Sequence, residues 1–97
     1  MDVRLTPQFA AWLKGLKDAR AAAKVKARLI QFEAGSFGDV KPVGEGVSET
    51  RIHYGPGYRV YFVQRGAVLV VVLAGGTKQT QSRDIDKAKA IAKELED

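Results

Sequence analysis

The sequence predicts an α+β fold: an N-terminal helical hairpin packed on an antiparallel sheet of three to four strands with a mixed edge, followed by a C-terminal helix. Three observations support this class. Apolar residues recur at helical spacing before residue 35, short alternating segments separated by glycine-rich turns follow from residue 49, and a helical period returns after residue 82. We expect residues 1–97 to form one domain.

Both N-terminal helices have clear starts. Thr6 followed by Pro7 predicts the first, because the hydroxyl can cap free N–H groups and proline fits the first turn. Asp18 predicts the start of the second helix, which we expect to end at Gly35. Residues 2–5 are expected to add a short edge strand. The outer face of the second helix carries a basic run that suits either an acidic partner or contact with solvent: Arg20, Lys24, Lys26, Arg28 and Gln31.

Three strands are predicted at residues 49–54, 58–64 and 67–73, and the short turns between them indicate an antiparallel meander. The third strand is apolar on both faces. We therefore expect it to be central in the sheet or covered by a helix.

The segments on either side of these strands are predicted as loops. Residues 36–48 are rich in glycine and proline, and a loop of this length is often functional, which makes Lys41 a candidate. Gly75 and Gly76 are predicted to form a tight turn after the last strand, and Ser82 is predicted to cap the C-terminal helix.

The amino-acid composition limits which kinds of function the protein can have. Sixteen Lys and Arg against eleven Asp and Glu give a net charge of +5, which favours a polyanionic partner but also serves solubility. The chain has no cysteine, which excludes disulfides and cysteine-based zinc sites, and it has one histidine, so we expect neither a metal nor another cofactor. Without a leader or a long apolar run, we expect a cytoplasmic protein that does not contact a membrane.

Strand alternation predicts a polar, basic sheet face. It places five residues on one side of the first two strands: Glu49, Arg51, His53, Arg59 and Tyr61. Arginines bind phosphate oxygens with a planar fork, and histidine titrates near neutral pH, so the group suits chemistry at an RNA phosphate. A sheet face open to water, with both arginines paired to Glu49, would show the same pattern.

RNA can be cleaved without a metal when its 2′-hydroxyl attacks the adjacent phosphorus. The protein must then move protons and neutralise the charge at phosphorus. We expect His53 to act as base or acid, with Arg51, Arg59 and Lys78 stabilising the charge. Further substrate contacts are expected from Tyr61, which can stack on a base, and from Lys41 and Gln81.

Three stretches carry a family resemblance: FAAWLKGLKD at 9–18, FGDVKPVGEGVSETRIHYGPGYRVYF at 37–62 and LAGGTKQTQSRDI at 73–85. With these, the chain resembles the RelE/ParE toxin superfamily over nearly its whole length, and in particular the HigB-like addiction-module killer proteins. The resemblance implies a RelE-like fold and the toxin of a type II toxin-antitoxin pair, neutralised by a cognate antitoxin.

In the RelE and HigB branches, the resemblance implies a ribosome-dependent endonuclease that cuts mRNA and arrests translation. Arg59 lies in a GYR segment similar to that of RelE-type toxins, Arg51 and His53 match an alternating basic pair, and Lys78 matches a basic residue after the last central strand. The segment after Arg83 lacks the aromatic residue or histidine that such enzymes often carry.

Two other functions remain open from the sequence. One is a ParE-like gyrase poison without nuclease activity, for which the basic sheet residues would be dispensable. The other is a non-catalytic module that binds RNA or an antitoxin. The oligomeric state is also left open.

Overall fold

The computed structural model describes residues 1–95, which form an α+β fold with a five-stranded mixed sheet and three helices. In chain order the elements are β1 Asp2–Leu5, α1 Pro7–Lys14, α2 Ala19–Glu33, β2 Asp39–Gly44, β3 Val47–Ile52, β4 Tyr58–Arg65, β5 Leu69–Thr77 and α3 Gln81–Glu94. The strand order is β1-β5-β4-β3-β2. β1 pairs with β5 in parallel, and the other pairs are antiparallel.

The N-terminal elements begin where the sequence predicts. The Thr6 hydroxyl accepts a hydrogen bond from the Phe9 N–H at 3.1 Å, and Asp18 caps α2 by accepting from the N–H groups of Arg20 and Ala21. Each cap satisfies backbone donors that the first turn of a helix leaves free. β1 is an edge strand, as expected. Within residues 1–95 no helix combines the length and the apolar character needed to cross a membrane.

Both faces of the sheet are covered. On one face, Phe9, Val25 and Phe32 of α1 and α2 pack against the sheet, and on the other, Ala88 and Ala92 of α3 do so. β5 contributes Val70 and Val72 to the first cluster and Leu73 to the second, which confirms that this strand is covered on both sides. Each of its large buried side chains contributes about 1.5–3 kcal/mol to stability. The alternative of a sheet face open to water, with no helix covering it, is therefore wrong.

The prediction of a continuous loop at residues 36–48 is also wrong, because β2 lies within it. Gly44, Glu45 and Gly46 have φ angles of 104°, 56° and 79°, and this left-handed turn reverses the chain so that β2 pairs with β3. The sheet therefore has five strands, more than predicted. β3 begins at Val47 and ends at Ile52, which leaves His53 just beyond the strand.

Gly75 and Gly76 lie inside β5, and the predicted tight turn does not form there. A Cβ on Gly75 would overlap the indole of Trp12, and one on Gly76 would overlap the carboxylate of Asp84. Both positions therefore require glycine, because Trp12 approaches the strand closely from one face of the sheet and Asp84 from the other. A short 3-10 turn at Lys78–Thr80 follows, and Thr80 takes the N-cap position of α3 in place of Ser82.

Candidate active site

A buried carboxylate organises the polar residues on the α3 side of the sheet. Glu49 of β3 is 0% exposed. Its Oε1 accepts a hydrogen bond from Arg51 Nε at 3.0 Å, and its Oε2 accepts from the Tyr61 hydroxyl at 3.0 Å and from Gln81 Nε2 at 2.9 Å. Arg59 Nε lies 3.5 Å from Oε1, within ion-pair distance. The alternation that places these strand residues on one face is therefore confirmed, and both arginines pair with Glu49.

The charge states in this cluster follow from its contacts. Burial acts to raise the pKa of Glu49, but hydrogen bonds from Arg51, Gln81 and Tyr61 outweigh it and hold the pKa below its ordinary value. Burial, together with the neighbouring Glu49 charge, raises the pKa of Tyr61 far above its ordinary value. At neutral pH the carboxylate is therefore ionised and the phenol remains a donor, so Glu49 anchors both arginines.

Next to this cluster lies a cleft of about 220 Å³, which we call the basic cleft. It is lined by Arg51, Ile52, His53, Gly57, Tyr58, Arg59 and Lys78. All four residues predicted to be catalytic line it, although they come from three separate segments of the chain. Lys78 is held there because its backbone N–H donates to the carbonyl of Gly57 at 2.8 Å.

Arg59 is the most deeply buried cation of the basic cleft, with 8% of its surface exposed. Its Nε has no hydrogen-bond partner among residues 1–95, because the ion pair with Glu49 lacks hydrogen-bond geometry. Its Nη1 makes a long bond of 3.4 Å to the carbonyl of Gly57. Because Nε is buried against Glu49, the weakly bonded Nη1 is the donor that this guanidinium can offer to an anion in the cleft.

His53 forms a dyad with Asp39, a residue of β2. The histidine side chain is 74% exposed, and its Nε2 lies 2.6 Å from Asp39 Oδ2. An ionised carboxylate only accepts, so Nε2 carries the proton and Nδ1 is left free to accept another. The hydrogen bond from His53 is the main reason that the pKa of Asp39 lies below its ordinary value.

Sequence reasoning missed Asp39 because it placed the residue in a loop. The signal that could have found it is the segment Val43-Gly44-Glu45-Gly46-Val47, in which two apolar positions flank a glycine-containing turn typical of a hairpin.

Three predicted substrate-binding residues do not line the basic cleft. Tyr61 is fully buried and Gln81 is half-buried, and both donate to Glu49. Lys41 is exposed on β2, opposite Glu49 in the pairing register. The structure therefore places Tyr61 and Gln81 behind the cleft as supports, and Lys41 at the sheet edge.

The basic run on α2 lines a second groove next to His53. A groove of about 330 Å³ separates α2 from His53, with Lys24, Arg28 and Gln31 among its walls. Arg28 Nη1 donates to the Thr50 hydroxyl at 2.6 Å and to the Arg51 carbonyl at 2.9 Å. Arg28 therefore links α2 to β3 through these hydrogen bonds. The spacing of charges along the helix could not predict this contact.

The basic cleft combines fixed cations with one group that can move a proton. Arginine can hold two oxygens of a phosphate at once, and lysine supplies a point charge. The His53–Asp39 dyad can accept or donate a proton at Nδ1. Across residues 1–95, no three His, Cys, Asp or Glu side chains are grouped so that they could hold a metal ion. The arrangement suits acid-base chemistry at a phosphodiester.

No family model matches the chain, and no solved structure matches it. The chain is similar to an uncharacterized protein of Haemophilus influenzae, with 46% identity over 95 residues. The matched region covers 98% of this chain and 96% of that protein. Because the similarity runs through nearly the full length of both chains, the protein belongs to the same family as this uncharacterized Haemophilus influenzae protein.

Proposed function

We propose that the protein is a RelE/ParE-type toxin with a RelE-like fold, in which α1 and α2 form the helical hairpin, and that it cleaves mRNA on the ribosome. One observation carries the proposal. Arg51, His53, Arg59 and Lys78 come from three chain segments and meet at one cleft, where Arg59 Nη1 makes only a long hydrogen bond to the protein. The resemblance to RelE-type toxins at these positions supports the same assignment.

The proposed reaction is an intramolecular transfer at phosphorus. The 2′-hydroxyl of the RNA gives its proton to His53 Nδ1, while Asp39 holds the proton on Nε2. The 2′-oxygen forms a bond to phosphorus, and the bond from phosphorus to the 5′-oxygen breaks. The leaving oxygen takes a proton from a water molecule, and the proton held on His53 Nδ1 then passes to the hydroxide that remains, which restores the histidine. The products are a 2′,3′-cyclic phosphate and a 5′-hydroxyl, and no oxidant or metal enters the balance.

The cations of the basic cleft act on the charge that develops at phosphorus. Arg59 and Arg51 donate to the non-bridging oxygens, and Lys78 adds a third positive charge at the mouth of the cleft. Glu49 does not touch the RNA in this scheme. It is a positioning residue, because it anchors Arg51 through Nε and neutralises part of the charge that two neighbouring arginines would otherwise concentrate.

The partner that neutralises such a toxin is proposed to be an acidic antitoxin. The chain carries a net charge of +5, and an acidic partner would associate quickly by long-range attraction. The site of action proposed for the toxin is the cytoplasm, where mRNA is translated.

The test induces the wild-type chain, Lys78→Ala and Arg65→Ala separately in bacterial cells. Lys78 is exposed in the basic cleft, whereas Arg65 is exposed at the far end of β4, so the second variant is a control for charge loss. The 5′ ends of cellular mRNA are mapped beside gyrase-dependent supercoiling. We expect in-frame cuts with the wild type and Arg65→Ala, and a loss on the order of 10²-fold with Lys78→Ala.

The alternatives give different results in the same cells. Intact messages together with double-strand DNA breaks would reject the nuclease and support a gyrase poison. Intact messages with RNA bound to the purified protein would reject it in favour of a non-catalytic module. Cuts that persist unchanged in Lys78→Ala would show that the basic cleft is not the catalytic centre.

A further inference from the structure

A second cleft lies at the end of β5, on the other side of the strand from the β4 pairing. It has a volume of about 450 Å³, which lies in the range of small-ligand sites. We call it the tryptophan slot; its main walls are Trp12, Gly75, Gly76, Arg83, Asp84 and Lys87. Trp12 belongs to α1 on one face of the sheet and the charged residues belong to α3 on the other, so the slot is open along the sheet edge.

The floor of the slot is free strand backbone. β1 pairs with β5 only at residues 69–72 and ends at Leu5, after which Thr6 starts the turn into α1 and its hydroxyl donates to the Leu73 carbonyl at 2.7 Å. β5 continues to Thr77 and is paired there with β4 alone. Among residues 1–95, no strand therefore pairs with residues 74–77 on the slot side. Trp12 and Asp84 cover the two faces of the strand at Gly75 and Gly76, so a ligand reaches this backbone along the strand edge.

The aromatic wall is held in a fixed position. The indole of Trp12 lies directly against Gly75, with its ring centre 5.6 Å from that of Phe9 and 6.3 Å from that of Tyr58. Trp12 is half-buried, so part of the ring remains accessible. An accessible, rigid aromatic ring is the feature that proteins use to stack an unpaired nucleotide base, and such stacking tolerates any base.

The opposite wall of the slot carries two exposed cations. Arg83 and Lys87 are exposed and lie one turn apart on α3, and the ion pairs formed within residues 1–95 include neither of them. Asp84 is buried between them and Gly76, where its Oδ2 accepts a hydrogen bond from the Thr80 hydroxyl. The wall therefore offers two cations for a phosphate and a carboxylate that accepts hydrogen bonds from a base.

The slot and the basic cleft are neighbours in the sheet. Arg59 lines the basic cleft, and its register partner Gly76 lines the slot. Lys78 stands in the basic cleft immediately after Thr77, the last residue of β5. A strand of RNA that places a phosphate against Arg59 can therefore continue across Lys78 into the slot.

We propose that the tryptophan slot binds one unpaired nucleotide of the RNA next to the phosphodiester in the basic cleft, an inference that rests on the proposed nuclease function. The base stacks on Trp12, and the adjoining phosphate meets Arg83 and Lys87. An extended peptide could use the free backbone of residues 74–77, but it would gain nothing specific from an aromatic ring and two cations beside a phosphate-binding cleft. The chemistry of the walls therefore favours RNA.

The chain offers a direct probe, because Trp12 is its one tryptophan. A short single-stranded RNA with 2′-O-methyl groups at every position lacks the attacking hydroxyl and cannot be cleaved, and we expect it to quench the fluorescence of Trp12 saturably. The double variant Arg83→Glu/Lys87→Glu is expected to bind at least about tenfold more weakly in constant salt. The matched control Arg65→Glu/Lys93→Glu changes net charge equally at exposed positions away from the slot and should bind within about threefold of wild type.

The readouts separate this inference from the nuclease proposal. Quenching that depends on Arg83 and Lys87 supports the slot even if no RNA is cut, and cleavage without quenching overturns the slot while leaving the nuclease intact. Equal weakening in both double variants also overturns it, because the effect would then be general charge. Quenching by an acidic decapeptide of alternating Glu and Val, with none by the RNA, would reject a nucleotide in favour of strand addition.

Discussion

Replacing Glu49 by glutamine should cost this protein more stability than its single-atom change suggests. The carboxylate accepts from Arg51, Tyr61 and Gln81 and lies 3.5 Å from Arg59 Nε. In the Glu49→Gln variant one acceptor oxygen becomes an NH₂ donor. On one side it faces the Nε–H of Arg51, and on the other it requires the Tyr61 hydroxyl and the Gln81 amide to turn from donors into acceptors. Both arginines also lose their shared countercharge.

The expected loss is about 3 kcal/mol. Breaking a buried ion pair costs about 3–5 kcal/mol, and the lower end applies because Arg51 remains partly exposed and can be hydrated. In a domain of this size a loss of about 3 kcal/mol lowers the Tm by roughly 12–24 °C. A typical domain has about 5–15 kcal/mol in total, so the variant can still fold at low temperature.

The assay is urea unfolding followed by far-UV circular dichroism, with the change taken from the midpoint at constant slope. The matched control is Glu45→Gln, the same chemical change at a residue whose side chain is 70% exposed and forms a 3.7 Å ion pair with Lys89. This control should lose at most about 1 kcal/mol. If the two variants lost the same amount, Glu49 would not be the organising charge of the cluster.

The dependence on pH checks the same reasoning. The pKa of Glu49 is lower in the folded protein than in the unfolded chain, so its contribution is fully present above the unfolded value and disappears as the pH falls through the folded value. The stability difference between wild type and Glu49→Gln should therefore stay constant from pH 7 to about pH 5 and shrink below about pH 4. A difference that grew on acidification would contradict the direction of the shift.

Two further substitutions test other parts of the structure. Gly75→Ala should lower the free energy of unfolding in urea by about 1–3 kcal/mol, because the new methyl group would overlap Trp12. The control Gly15→Ala, at the end of α1 where φ is −80°, should change it by less than about 1 kcal/mol. Equal losses in the two variants would contradict the close packing at Gly75. Asp39→Asn should slow cleavage of ribosome-bound mRNA about 10- to 100-fold without changing the Tm, because His53 loses its carboxylate partner. The control Asp86→Asn, on the exposed side of α3, should cleave at the wild-type rate.

Local signals in the sequence predicted the helix starts and the central strand. Thr6 and Asp18 cap their helices through contacts within three residues, so neighbouring positions contain the whole signal. The apolar run of β5 indicated a strand covered on both faces for a similarly direct reason: each face must be kept from water. The turn glycines of Gly44–Gly46 carried a hairpin signal as well, but the glycine and proline content of residues 36–48 favoured a loop.

The candidate site was predictable only as a set of residues. Strand alternation placed Glu49, Arg51, Arg59 and Tyr61 on one face, because the side-chain period of a strand is two. It could not say that α3 covers part of that face, so Tyr61 became a buried donor to Glu49 while Arg51 stayed at the cleft. That difference depends on where α3, a helix much later in the chain, packs on the sheet.

By itself, the sequence determined the α+β class, the helix caps, the covered strand and the basic character of one sheet face, because each depends on composition or on spacing within a few residues. Only the tertiary structure decided that Asp39 meets His53 and that Gly75 and Gly76 are enclosed by Trp12 and Asp84. Those contacts join residues far apart in the chain, and their geometry follows from how helices pack on a twisted sheet, which no local pattern of residues encodes.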